Sequence, residues 1–148
     1  MKILGVIPSR MESKRLPGKP LLDINGKSMI QRVYESSINC KNLDDLIIAT
    51  PNDEIVSHVK EFNGNVLKTT DKPINGTERV YEAVEKINKK YDFIINIQGD
   101  EPFIKTEQIN DLIKICVKPN EICTLIKNET YSKELTQDSV MKVVKNIY

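Results

Sequence analysis

Two stretches of this 148-residue chain gather residue types that can do chemistry. The first runs Pro8-Ser9-Arg10-Met11-Glu12-Ser13-Lys14-Arg15-Leu16-Pro17-Gly18-Lys19-Pro20, with four cations and one carboxylate between positions 10 and 19. It is not a Walker A loop, because Gly18-Lys19 is followed by Pro20 and no glycine stands five residues before Gly18. Nor is it a dinucleotide fingerprint. A long cationic excursion after an apolar run can still wrap a polyphosphate with backbone amides and set Arg10, Arg15 and Lys19 on its oxygens. Charge-assisted contacts of that kind contribute about 1.5–3 kcal/mol each. The second stretch, Asn96-Ile97-Gln98-Gly99-Asp100-Glu101-Pro102, presents Gln98, Asp100 and Glu101 together. Magnesium usually takes one or two protein carboxylates and completes its shell with water and substrate phosphate, so Asp100 is a candidate metal ligand. Taken singly, each stretch also reads as an ordinary solvated loop or turn.

A third stretch, Asn75-Gly76-Thr77-Glu78-Arg79, opens a segment of helical period. A small-residue turn there offers free amides to an anion or a base edge, with Arg79 one turn further in. Plain capping by Asn75 or Thr77 is the alternative. The single histidine, His58, falls on the outer side of a helical stripe and is expected at the surface. Cys40, Cys116 and Cys123 form no C-x-x-C pair and are expected to fill the core.

These stretches need a scaffold, and the apolar pattern supplies one. Ile3–Ile7, Leu46–Ala49 and Phe93–Ile97 are nearly continuous apolar runs, as in strands covered on both faces. Weaker strands are expected near Asn65–Lys68 and Ile122–Ile126. Helical stripes lie between: Met29, Ile30, Val33, Tyr34 and Ile38; Ile55, Val56, Val59 and Phe62; Val80, Val84 and Ile87; Ile109, Leu112, Ile113 and Cys116. Thr50-Pro51-Asn52-Asp53 reads as a helix start, with Thr50 capping and Pro51 in the first helical position. The alternation predicts an α/β fold, an open, mostly parallel sheet with helices on both faces. Ligands of such sheets sit beyond the carboxyl ends of the strands, where two of the unusual stretches begin. Val140–Val144 reads as one more strand, close to the last residue, Tyr148.

Composition narrows the function classes. The net charge of +1 excludes a polybasic nucleic-acid binder, and the local +3 over residues 10–19 suits a small anionic ligand. No run approaches the roughly 20 apolar residues of a membrane span, and the N-terminal apolar run stops at Pro8, too short for a signal peptide. The expectation is one cytoplasmic domain over residues 1–148, with no nucleic-acid or membrane partner.

Together the motifs Ile7-Pro8-Ser9-Arg10, Arg15-Leu16-Pro17-Gly18-Lys19-Pro20-Leu21, Gly26-Lys27-Ser28-Met29-Ile30, Gly76-Thr77-Glu78-Arg79 and Asn96–Pro102 resemble one family over essentially the whole chain. That family is the 3-deoxy-manno-octulosonate (Kdo) cytidylyltransferases, or CMP-Kdo synthetases. Sialic acid cytidylyltransferases share the cationic loop but not the Asn-x-Gln-Gly-Asp-Glu-Pro block. The resemblance implies a glycosyltransferase-A-like nucleotidyltransferase that uses CTP and Mg2+ to convert Kdo to CMP-Kdo and pyrophosphate, for lipopolysaccharide biosynthesis. It implies that Arg10 and Lys19 hold the triphosphate with help from Arg15. Pro8, Ser9, Gly76 and Arg79 would recognise the nucleotide, Gln98 would lie between nucleotide and sugar, and Asp100 would bind the metal. Two departures stand out. Pro73-Ile74-Asn75 replaces a stretch in which the family carries His and Ser. Family members also continue further, with a second metal-binding Asp, most sugar-binding residues and the homodimer interface. The chain is therefore expected to be an N-terminal portion. The alternatives are a catalytically incomplete CTP-binding fragment and a cytidylyltransferase for another sugar acid, such as amino-Kdo or sialic acid.

Overall fold

The computed structural model describes residues 1–13, 16–116 and 122–126. In chain order the strands are β1 (Ile3–Pro8), β2 (Asp23–Ile24), β3 (Lys27–Ser28), β4 (Asp45–Thr50), β5 (Val66–Lys68) and β6 (Phe93–Asn96). The helices are α1 (Met29–Ile38), α2 (Asp53–Glu61), α3 (Gly76–Ile87) and α4 (Thr106–Ile115), with a short 3-10 turn at Lys19–Leu21. All six residues of β1 are buried, which explains a run that is apolar throughout instead of alternating. Strands β5-β4-β1-β6 form one parallel sheet in that order, while β2 and β3 make a separate antiparallel hairpin.

Side chains sort by strand parity. Ile3 and Ile7 of β1, Leu46 and Ile48 of β4 and Ile95 of β6 pack against Ile30, Val33, Ile55, Val59, Ile109 and Ile113 of α1, α2 and α4. Leu4, Val6 and Ala49 face the other way, onto Val80 and Ala83 of α3. Successive crossovers carry the chain from β1 outward to β5, and α3 then returns it across the opposite face to β6. The order reverses between β1 and β6, so a crevice opens beyond their carboxyl ends.

Several expectations need correction. Helix α2 starts at Asp53, not near Pro51, and its N-cap residue is Asn52. Thr50 caps no helix: its Oγ1 accepts the Asn52 N–H at 3.2 Å and squares the turn out of β4. Ile122–Ile126 lies in no strand, and Ile122 is fully exposed, although β5 and β6 each have only one strand neighbour among the described residues. His58 is no free surface residue. Its Nε2 lies 2.7 Å from the hydroxyl of the buried Ser28, its Nδ1 lies 3.0 Å from Glu61, and its ring meets Phe62 edge-on. Cys40 and Cys116 are buried as expected, whereas Cys123 is only half-buried. The run Val140–Val144 falls outside the described residues. No described helix is long and apolar enough to cross a membrane.

One close approach shapes the crevice. A Cβ on Gly99 would lie 2.8 Å from the Pro8 carbonyl oxygen, closer than any side chain tolerates against backbone. Only glycine lets the turn after β6 pass this near the end of β1. Gly99→Ala is expected to cost about 1–3 kcal/mol of stability through that overlap. Urea unfolding of the two proteins checks it, and a variant as stable as the parent would show that the strand ends do not meet this closely.

Candidate functional site

The crevice is a cavity of about 790 Å3. The end of β1 and the loop after it contribute Pro8, Ser9, Arg10, Glu12 and Ser13, and the 3-10 turn adds Lys19. The start of α3 supplies Asn75, Gly76 and Arg79, and the turn after β6 supplies Gln98, Gly99 and Asp100. Eight residues singled out in the sequence, namely Pro8, Ser9, Arg10, Lys19, Gly76, Arg79, Gln98 and Asp100, therefore line one cavity. Arg15 lies outside the described residues.

The cationic loop is closed on itself. The Gly18 N–H donates to the Met11 carbonyl at 3.0 Å, and Gly18 adopts φ +72°, a left-handed conformation that favours glycine. The chain then enters the 3-10 turn with Pro20 buried, which fixes the half-buried Lys19 at the cavity wall. Lys19 Nζ donates to Asp100 Oδ2 at 2.8 Å, joining the two sequence stretches that looked most chemical. The entry to the loop is held by Asn52, whose Oδ1 accepts the Met11 N–H at 3.0 Å and whose Nδ2 donates to Glu12 Oε1 at 3.1 Å.

Arg79 is the most unusual side chain of the site. It is 3% exposed, yet among the described residues it forms no ion pair. Its Nη1 donates to Thr69 Oγ1 at 2.6 Å and to the Thr70 carbonyl at 3.1 Å. Burial, and after it the positive charge of Arg10, push the guanidinium below its ordinary pKa. A buried arginine stays charged, so an anion brought into the cavity relieves both penalties. Thr70 is fixed in turn by Glu82, which accepts its N–H at 2.7 Å and its hydroxyl at 2.9 Å.

Asn75 does cap α3, its Oδ1 accepting the Glu78 N–H at 2.9 Å, and it lines the cavity as well. Gln98 is exposed there, with Nε2 donating to Asn96 Oδ1 at 3.2 Å. The Ser9 hydroxyl is buried without a hydrogen-bond partner among the described residues, although Ser9 lines the cavity. Asp100 is the one carboxylate of the turn after β6 that reaches the cavity, and the described residues hold no cluster of three His, Cys, Asp or Glu. That donor set fits a hard cation taking one protein oxygen and otherwise water and phosphate, and does not fit an all-protein metal cage. Sequence reading missed Asn52, Glu82 and the Thr69-Thr70 pair, whose one signal is that they follow the carboxyl ends of strands or face them from a helix.

The cytidylyltransferase family profile matches residues 4–147. This chain belongs to that family. It is 47% identical over 152 residues to the 3-deoxy-manno-octulosonate cytidylyltransferase of Parabacteroides distasonis, covering 99% of this chain and 59% of the relative. It is 43% identical over 146 residues to the enzyme of the same name from Cytophaga hutchinsonii, covering 99% and 58%. Among solved structures, CMP:2-keto-3-deoxy-manno-octonic acid synthetase complexed with CTP superposes with a TM-score of 0.74 at 39% identity, over 77% of this chain and 46% of that one. The chain thus spans under three fifths of the length of the curated relatives it matches.

The support beneath Arg79 generates a test. Burial raises the Glu82 carboxyl, but hydrogen bonds from Lys86 and Thr70 outweigh it and leave the group below the usual carboxylate range. Such a group adds stability above its unfolded pKa of about 4.3 and loses it as pH falls through the lower folded value. Glu82→Ala is expected to cost about 1–3 kcal/mol near neutral pH, with the difference from the parent shrinking below about pH 4. Thermal unfolding across pH measures this. A difference that stays constant into acid would mean that the carboxylate charge is not its source.

Proposed function

We propose that this cytidylyltransferase binds CTP in the crevice and serves transfer of the cytidylyl group to Kdo, giving CMP-Kdo and pyrophosphate for lipopolysaccharide biosynthesis in the cytoplasm. The observation that carries the reading is the meeting of Arg10, Lys19 and Arg79 with Asp100 in one cavity at the carboxyl ends of β1 and β6. The names of the two relatives and the CTP complex of the structural neighbour support it.

In this reading the 2-hydroxyl oxygen of the sugar acid attacks the α-phosphorus in line and gives up its proton to solvent. The bond from that phosphorus to the β-bridging oxygen breaks, and pyrophosphate departs with the electron pair. Nucleotidyl transfer relies mainly on positioning and charge neutralisation. Arg10 and Lys19 grip the triphosphate, with Arg15 assisting, and neutralise charge on the leaving pyrophosphate. Backbone at Pro8–Ser9 and Gly76, with Arg79, holds the nucleotide, and Gln98 sits where nucleotide and sugar meet. Magnesium, held by Asp100 with water and phosphate oxygens, would supply further neutralisation of the phosphates. Lys19, paired with Asp100 in this structure, would turn to a phosphate oxygen and leave the Asp100 carboxylate to hold the ion. The share of the relatives that the chain covers favours a second reading, in which this chain binds the nucleotide without completing the reaction.

Thermal unfolding with Mg2+–CTP, against ATP and GTP, is the first test. At a hundred times its dissociation constant CTP is expected to add about 2.7 kcal/mol of stability. Arg10→Ala and Lys19→Ala are each expected to lose about 1.5–3 kcal/mol of CTP affinity, roughly 10- to 150-fold, and Asp100→Ala to lose the metal dependence. Unshifted melting with every nucleotide would overturn the reading. A CTP-specific shift without pyrophosphate release from Kdo and CTP would establish the second reading over the first, and release with a different sugar acid would correct the substrate.

A further inference from the structure

Asn52 stands at the N-cap of α2, a position where an asparagine ordinarily bonds its own helix, yet its side chain makes no capping bond. Both ends of its amide are used on a loop 41 residues earlier in the chain, the Oδ1 on the Met11 N–H and the Nδ2 on Glu12. The helix manages without the cap because Asp53 and Glu54 occupy its first turn, where carboxylates complement the amide dipoles.

The contact is placed where the cavity needs it. The Ser9 N–H donates to the Ala49 carbonyl at 2.9 Å, and the Met11 N–H donates to Asn52 at 3.0 Å. Arg10 is therefore pinned on both sides to the segment at the end of β4. The Met11 carbonyl also accepts the Gly18 N–H, so the anchor reaches the residue before Lys19. The bond to Asn52 is the foremost reason that the Glu12 carboxyl lies below its usual range, ahead of the charges of Arg10 and Arg79. That carboxylate stays ionised and tethered at the cavity wall.

We propose that Asn52 is a positioning residue that presets the cationic loop for a triphosphate, holding Arg10 and Lys19 at one spacing before the ligand arrives. This role rests on the nucleotide reading above. Contacts held in advance contribute most to ligands that use them together, so Asn52 acts on the triphosphate and leaves recognition of the nucleoside end alone.

The test compares the parent chain with Asn52→Ala, which removes both bonds, and with the pair Asn52→Asp and Glu12→Gln, which keeps an acceptor for Met11 and a hydrogen bond between positions 52 and 12 without setting two carboxylates together. Affinities for Mg2+–CTP and for CMP are measured by calorimetry, and exchange of the Met11 amide by NMR without ligand. The expected result is a loss of about tenfold for CTP in Asn52→Ala, equivalent to 1.4 kcal/mol, with CMP affinity changed by no more than about twofold. The Met11 amide is protected in the parent, exchanges faster in Asn52→Ala, and regains protection when Asn52→Asp is combined with Glu12→Gln. Equal losses for CTP and CMP would overturn the proposal by showing general damage to the fold. So would a Met11 amide indifferent to the substitution. A parent that binds CTP with Asn52→Ala binding it equally well sinks this role alone, whereas a parent that binds no CTP removes the nucleotide reading and the role with it.

Discussion

The structure hangs on the two-sided pairing of β1. It is hydrogen-bonded to β4 on one edge and β6 on the other, and its side chains are sealed on both faces. Such a strand has no route to solvent except along its own axis, so its backbone groups must find partners until the chain can turn out. The last of them are the Ser9 N–H, bonded to Ala49, and the Val6 carbonyl, which accepts from Ile97. Past that point the chain leaves the sheet, and the crossover reversal leaves the crevice without a helix above it. The cavity is thus the unavoidable end of a fully buried parallel strand, and Gly99 keeps its two walls at contact distance.

The charges of that cavity are unevenly compensated. Arg79 is buried without a counter-ion among the described residues and feels Arg10 as a repulsive neighbour, an arrangement that stability alone does not favour. Lys19 and Asp100 compensate each other, but both are partly open to water, and a pair of that kind contributes only about 0–1 kcal/mol. It can open at little cost in favour of a phosphate on one side and a cation on the other. The cavity holds its cations in two ways, one strongly constrained and one readily exchanged. The proposed metal-bound triphosphate would answer both.

The fold was legible because burial on two faces and burial on one stripe leave different periods in a sequence. The runs at Ile3–Ile7, Leu46–Ala49 and Phe93–Ile97 and the four helical stripes all appear as elements. Ile122–Ile126 did not, since apolarity states that a segment wants cover but not which strand edge it pairs with. The β2–β3 hairpin left a signal that was overlooked. Asn25-Gly26 takes φ values of 51° and 81°, the two-residue turn that the pair Asn-Gly specifies. Site residues with unusual chemistry, such as Arg10, Lys19, Arg79 and Asp100, stood out by type and position. The residues that hold them did not, because Asn52, Thr69 and Glu82 are ordinary in type and meet their partners only through the fold.

Those supports converge on one buried residue. Thr50, the last residue of β4, is fully buried, and its two oxygens serve opposite walls of the cavity. Its hydroxyl accepts the Asn52 N–H and so orients the amide that pins Met11 beside Arg10. Its carbonyl accepts the Thr69 N–H at 2.8 Å, and the Thr69 hydroxyl accepts from Arg79. Arg10 and Arg79 repel each other; Arg79 is carried by α3, and Arg10 on its loop depends on the anchor to hold its place. Tying both to the same strand end turns that repulsion into a fixed separation. A threonine suits this point because it is β-branched, as a buried strand favours, while offering a second oxygen that valine lacks. The arrangement of the cavity wall is therefore a property of the sheet, reached through one strand none of whose residues lines the cavity.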